Sequence, residues 1–124
     1  MASGVSGVPP LVMIEVGAEE GCTVRLDGAS VQVLRMRRAG KVLEVRVRLR
    51  CMIRWRDGSE GEAAHYACQW ADVTGAWWAS DGLVCSGAAL SIPAPTGRVT
   101  ARTGAFFPVI MIYEKVGEEG IAVG

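Results

Sequence analysis

Much of what would identify a chemistry is scarce or missing in this 124-residue sequence. It has a single histidine, His65, and no Cys-x-x-Cys pair, so the ligand set of a zinc site is lacking. No phosphate-cradling loop and no dinucleotide fingerprint occurs, and no cofactor is expected. No run of about 18 apolar residues exists, so no helical membrane span and no membrane insertion are expected. Charge of one sign is not in excess: 13 basic residues balance 13 acidic ones. That excludes a globally basic nucleic-acid binder and an acidic solvating tail. Helical periodicity is missing too, since no segment carries a 3.6-residue apolar stripe. No internal repeat is seen.

What remains is an apolar, glycine-rich chain. Half of the residues are hydrophobic, which excludes wholesale disorder. The length suits one domain that buries about two-thirds of its unfolded surface. The opening stretch, residues 1–10, is broken by Gly and Pro and has no basic segment, unlike a secretory leader. Taken as a true start, it predicts a cytoplasmic or virion-associated protein with a flexible or extended N-terminal arm. A single β domain is expected over 11–116, and a small apolar tail over 117–124.

Period-two alternation dominates between turn residues. Strands are expected at Leu11–Val16, Cys22–Leu26, Val31–Arg38, Val42–Arg56, Ala64–Asp72, Gly75–Ser80, Leu83–Cys85 and Ala105–Val116. Asp27-Gly28, Ala39-Gly40, Val73-Thr74-Gly75 and Asp81-Gly82 supply reversals. Residues 86–97, with Pro93 and Pro95, read as a long loop or an edge segment. Pro108 should sit at an edge or a bulge. The fold class is therefore all-β: an antiparallel sandwich or jelly-roll-like barrel of about eight strands.

The longest strand is chemically the most unusual. Strict alternation puts Leu43, Val45, Val47, Leu49, Cys51, Ile53 and Trp55 on one face. The other face carries Glu44, Arg46, Arg48, Arg50, Met52, Arg54 and Arg56. A run of this length should bend or bulge near Cys51–Met52. Between Arg25 and Arg56 lie ten of the 13 basic residues and only two acids. Guanidinium forks bind carboxylates and phosphates. The Arg46, Arg48, Arg50, Arg54 and Arg56 face thus reads as a solvated surface, as pairing to acids of a neighbouring strand or subunit, or as a polyanion contact. No aromatic interleaves it, which disfavours single-stranded nucleic acid. Trp77 and Trp78 are adjacent, so one points to the core and the other outward as a candidate interface aromatic.

No catalytic set assembles. Cys68 lies three residues from His65, so in a strand the two point to opposite faces. Cys22, Cys51, Cys68 and Cys85 read either as four buried thiols or as two disulfides of open connectivity.

Cys68-Gln69-Trp70, then Trp78-Ala79-Ser80-Asp81-Gly82, then Thr103-Gly104-Ala105-Phe106-Phe107 resembles the proteolysis-site (GPS) motif of GAIN domains and polycystin-type proteins. The similarity spans residues 66–113. It implies an extracellular β module of a surface or ciliary protein. The self-cleaving His-Leu-Thr tripeptide falls on Ala101-Arg102-Thr103, so the resemblance implies a non-cleaving member. The motif's second Cys falls on Leu83, with Cys85 displaced by two, and its later Cys pair is missing.

Together these features predict a non-enzymatic structural subunit of a larger assembly, of viral coat, decoration, tail or filament type. Its partners would be copies of itself or other structural subunits. They would be held by strand edges, terminal arms and the Arg-rich face. The alternative is the GPS-like surface module.

Overall fold

The computed structural model describes residues 10–17, 19–58, 64–80, 88–102 and 106–123. Within them the chain forms nine strands and no helix: β1 (Leu11–Glu15), β2 (Thr23–Asp27), β3 (Gln32–Arg38), β4 (Lys41–Arg56), β5 (His65–Ala71), β6 (Trp77–Ser80), β7 (Leu90–Ile92), β8 (Thr96–Thr100) and β9 (Phe107–Val123). All pairings are antiparallel. A seven-stranded sheet runs β1-β9-β4-β5-β6-β7, with β3 also on β4, and β2 pairs β8 as a separate ribbon. The ribbon packs across one face of the large sheet, a sandwich-like all-β arrangement.

Strand β4 organises the sheet. One edge pairs with β9 from Val42 to Trp55. The other edge pairs first with β3, over Lys41–Val47, and then with β5, over Cys51–Arg56. Thus β3 and β5 lie end to end along one edge, and residues 48–50 sit in the gap between them. The β3–β4 hairpin closes on Ala39-Gly40, both with positive φ, the backbone that a two-residue turn needs to follow strand twist.

The register breaks in that gap. Leu49 faces Tyr113 and Cys51 faces Ile112, leaving Arg50 as an extra residue. One extra residue in a period-two pattern reverses every later side chain. Leu43, Val45, Val47 and Leu49 are buried, and then Met52, not Cys51, continues the core at 0% exposure. This corrects the expectation that Arg46, Arg48, Arg50, Arg54 and Arg56 share one face. Cys51, Ile53 and Trp55 lie on the outer face, while Arg54 and Arg56 share the Met52 side. The break falls one residue before the expected position.

Two open alternatives resolve and one boundary moves. Residues 86–97, expected as a long loop or an edge segment, hold β7, an edge strand of the large sheet, and the start of β8. The C-terminal segment is not a tail beyond residue 116: β9 runs to Val123, and its end pairs with Val42–Val45 of β4. Pro108 stands in an interior strand at a bulge, one of the two places expected for it, where the register shift between Ile53 and Arg54 relieves the missing N–H. Residues 1–9 of the expected arm and the expected strand Leu83–Cys85 lie outside the described residues.

The core lies between ribbon and sheet. Leu26 of β2 meets Leu43, Val45, Val47, Leu49, Met52, Ala71, Trp77, Met111 and Tyr113 of the large sheet. Each fully buried aliphatic side chain there contributes about 1.5–3 kcal/mol. Polar bonds fix the ribbon's seat. Gly28 donates its N–H to the Pro95 carbonyl at 2.7 Å, and Trp77 Nε1 donates to the Gly28 carbonyl at 3.1 Å. A Cβ at Gly28 would stand 2.7 Å from Pro95 Cδ and 3.1 Å from Trp77 Cε2, so only glycine permits this approach.

Candidate functional site

Two surfaces concentrate chemistry: the outer face of the large sheet, opposite the ribbon, and a pocket on the core-facing side beyond the ribbon.

Direct register partners share a face, so the pairings define the outer rows. One row is Met13, Ile112, Cys51, Trp70 and Trp78. The next is Glu15, Ile110, Ile53, Cys68 and Ser80. Trp55 and Tyr66 follow, with ring centroids 4.5 Å apart. Met13 is 64% exposed and Tyr66 59%. Ile53, Tyr66, Cys68 and Ile110 line a shallow apolar groove.

Trp78 is held in this strip by the β5–β6 turn. Asp72 accepts hydrogen bonds from the Thr74 hydroxyl at 2.6 Å, the Thr74 and Ala76 amides at 2.8 and 3.1 Å, and Trp78 Nε1 at 2.9 Å. Stabilised chiefly by the Thr74 and Trp78 side chains, the Asp72 carboxylate titrates at about 2. The tryptophan pair divides as alternation requires. Trp77 is 2% exposed and belongs to the core, so the interface role expected for one of the two rests on Trp78.

The five arginines of β4 do not form one face. Arg46 and Arg48 are exposed on the outer face, opposite Val33 and Glu114. Arg50, the bulge residue, donates to the Ala71 carbonyl at 3.2 Å and stands 3.9 Å from Glu114. Nearby, Arg35 and Glu44 pair across β3 and β4 at 3.2 Å. Acids therefore interleave this end of the sheet, and it is not a purely cationic surface.

Arg54 and Arg56 face the other way. Arg56 approaches His65 Nδ1 at 3.4 Å and lies 4.8 Å over the Phe106 ring. His65 meets the same ring edge-on, with centroids 5.0 Å apart. Arg54 enters a pocket of about 220 Å³ lined by Ala67, Gln69, Ala79, Leu90 and Phe106 among others. The Nε of Arg54 and the Oε1 of Gln69 are buried there with no hydrogen-bond partner. Burial lowers the Arg54 pKa. Alternation without the bulge points Arg54 to the opposite surface, so this pocket was not legible in the sequence.

Cys51 and Cys68 bring their sulfurs within 3.9 Å on the outer face. Burial, followed by the neighbouring Cys68, pushes the Cys51 thiol up to about 11. It is therefore protonated at neutral pH and a poor nucleophile. His65 belongs to the opposite face, so it does not serve either sulfur. Cys22, Cys51 and Cys68 are free thiols, and Cys85 lies outside the described residues. Among the described residues no group of His, Cys, Asp and Glu could hold a metal ion, and no helix is long and apolar enough to cross a membrane.

Comparison with known proteins adds no relative. No family model matches the sequence, and no curated protein or solved structure shows a significant similarity to it.

Proposed function

We propose that the chain is a non-enzymatic structural subunit that associates with further copies of itself through the outer face of the large sheet. One observation carries this reading: a continuous apolar row crosses the outer face from exposed Met13 through half-buried Ile112, Cys51 and Trp70 to half-buried Trp78, with exposed Tyr66 beside it. A contiguous apolar surface left partly open to solvent in this way marks an interaction site. A second copy suits it for two reasons. A two-fold axis through the strip sets the same rows against each other, giving an isologous sheet-on-sheet contact. The balanced net charge also leaves no long-range repulsion between copies.

The Arg-rich surface takes a smaller part than composition suggests. Arg46 and Arg48, flanked by Glu44 on β4 and Glu114 on β9, suit a polar rim around the apolar strip rather than a polyanion site. Edge pairing is also secondary, because the outer edge of β3 is guarded by exposed Arg35 and Arg37. Coat, decoration, tail and filament subunits all fit a protein that assembles face to face. The protonated Cys51 and the separation of His65 from both outer-face sulfurs support a role other than cysteine catalysis.

Sedimentation velocity across a wide concentration range tests the proposal. The protein should show a concentration-dependent rise to a defined oligomer. Met13→Glu and Tyr66→Glu should weaken that association at least tenfold without unfolding the chain, because both side chains are more than half exposed. A wild-type protein that stays monomeric at high concentration, or variants that associate unchanged, would overturn it.

A further inference from the structure

We propose that the Arg54 pocket binds a small organic acid: a carboxylate with a hydroxyl beside it, on a compact apolar body. The proposal is independent of assembly through the outer face.

It begins with the bulge. Arg50 reverses the faces of β4, so Arg54 points to the side on which Met52 packs in the core. Among the described residues none of the ribbon lines the pocket, and the inward rows there carry small residues. Ala67 lies directly across from Arg54, and Ala79 directly across from Gln69. Three short side chains, Ala67, Ala79 and Ala88, leave the space that larger residues would fill. Phe106, held between Arg56 and His65, forms an aromatic wall, and Leu90 lies at the rim.

The polar groups are complementary but do not satisfy each other. Arg54 offers a buried N–H donor, and Gln69, two residues along β5 from the partner of Arg54, offers a buried carbonyl acceptor. Neither has a partner. A buried guanidinium N–H without a partner is costly, and so is an unpartnered buried amide oxygen. A ligand that satisfies both must present an acceptor to Arg54 and a donor to Gln69. A carboxylate is the natural partner of the guanidinium fork. A hydroxyl on the adjacent carbon supplies the donor. The alanines, Leu90 and Phe106 require the rest to be apolar. Size sets the upper bound: a cavity of about 150 Å³ holds benzene, so about 220 Å³ admits a benzene-sized body with a short polar head.

Mandelate, an aromatic 2-hydroxy acid, is the probe. Methyl resonances of Ala67 and Ala79 and the side-chain amide of Gln69 report on the pocket during an NMR titration. Saturable shifts at all three groups are expected. Mandelamide, which lacks the charge, and phenylacetate, which lacks the hydroxyl, should bind at least tenfold more weakly. Arg54→Met keeps the length and removes the charge, and should abolish saturation. Ala79→Leu fills the floor while keeping Arg54, and should do the same, so loss of binding does not rest on one variant's folding. No saturable shift would mean that water alone occupies the pocket, and would overturn the proposal. Equal binding of mandelamide, or unchanged binding to either variant, would also overturn it.

Discussion

Replacing Gly28 by alanine tests how the ribbon is seated on the sheet. Two effects oppose each other. Alanine narrows the unfolded ensemble, which stabilises by about 0.4–1 kcal/mol where the native site accepts it. Here the new methyl stands 2.7 Å from Pro95 Cδ, 3.0 Å from Pro95 Cγ and 3.1 Å from Trp77 Cε2. The proline ring is rigid and buried, and the indole is pinned by its bond to the Gly28 carbonyl. Overpacking of this kind costs about 1–3 kcal/mol. The clash prevails, and Gly28→Ala should destabilise by about 1–2 kcal/mol. Urea unfolding followed by tryptophan fluorescence measures this directly, since Trp77 lies at the contact. A double-mutant cycle isolates the cause. Pro95→Ala is destabilising by itself, because it removes a buried ring. In that background, however, Gly28→Ala should cost at most about 0.5 kcal/mol, since its principal obstacle has gone. A single Gly28→Ala variant as stable as wild type, or two substitutions whose costs simply add, would refute the close seating of the ribbon on Pro95.

Two other predictions follow from the turns. Ala39 holds a φ of 50°, a left-handed backbone that a Cβ disfavours and asparagine tolerates. Ala39→Asn should therefore raise stability by about 0.5–1 kcal/mol, read as a higher urea midpoint at unchanged slope. The Asp72 carboxylate titrates at about 2 in the folded chain, below its unfolded value near about 4. A depressed acid stabilises fully above the unfolded value, and that contribution is lost as pH falls through the folded one. The Trp78 indole N–H resonance should thus move with a midpoint near 2, and Asp72→Asn should remove the transition. A midpoint in the ordinary carboxylate range would contradict the four-bond turn.

The outer-face association and the Arg54 pocket form a pair of linked checks on β4, because both depend on the bulge at Arg50. The bulge places Cys51 and Ile53 among the outer apolar rows, and it places Arg54 inward. Variants at Met13 and Tyr66 should leave mandelate binding unchanged, since those side chains belong to the outer rows. Arg54→Met should leave association unchanged, as measured by sedimentation velocity.

The sequence by itself determined the secondary structure class and most strand positions. Those follow from local rules: side chains alternate along a strand, and Asp-Gly or Ala-Gly steps turn the chain wherever they occur. The division of Trp77 from Trp78 follows from the same alternation, as does the separation of His65 from Cys68. The local rules fail at Arg50, because a bulge belongs to a pairing and not to a strand. The edge of β4 changes neighbours between Val47, the last partner of β3, and Cys51, the first partner of β5, and the extra residue sits in that gap. The length of the β4 run marks a break near Cys51–Met52, but only the pairing decides that Arg50 is the extra residue and that the faces exchange there. The end of β9 is similar. Gly117-Glu118-Glu119-Gly120 has little strand preference of its own and interrupts the register, yet the β9 backbone pairs again from Gly120 to Val123 because the edge of β4 extends beside it. The sequence thus determined that this is an alternating β protein rich in arginine. Only the tertiary pairings decided which arginines meet solvent and which one enters a pocket, since a single inserted residue exchanges the two faces of a strand.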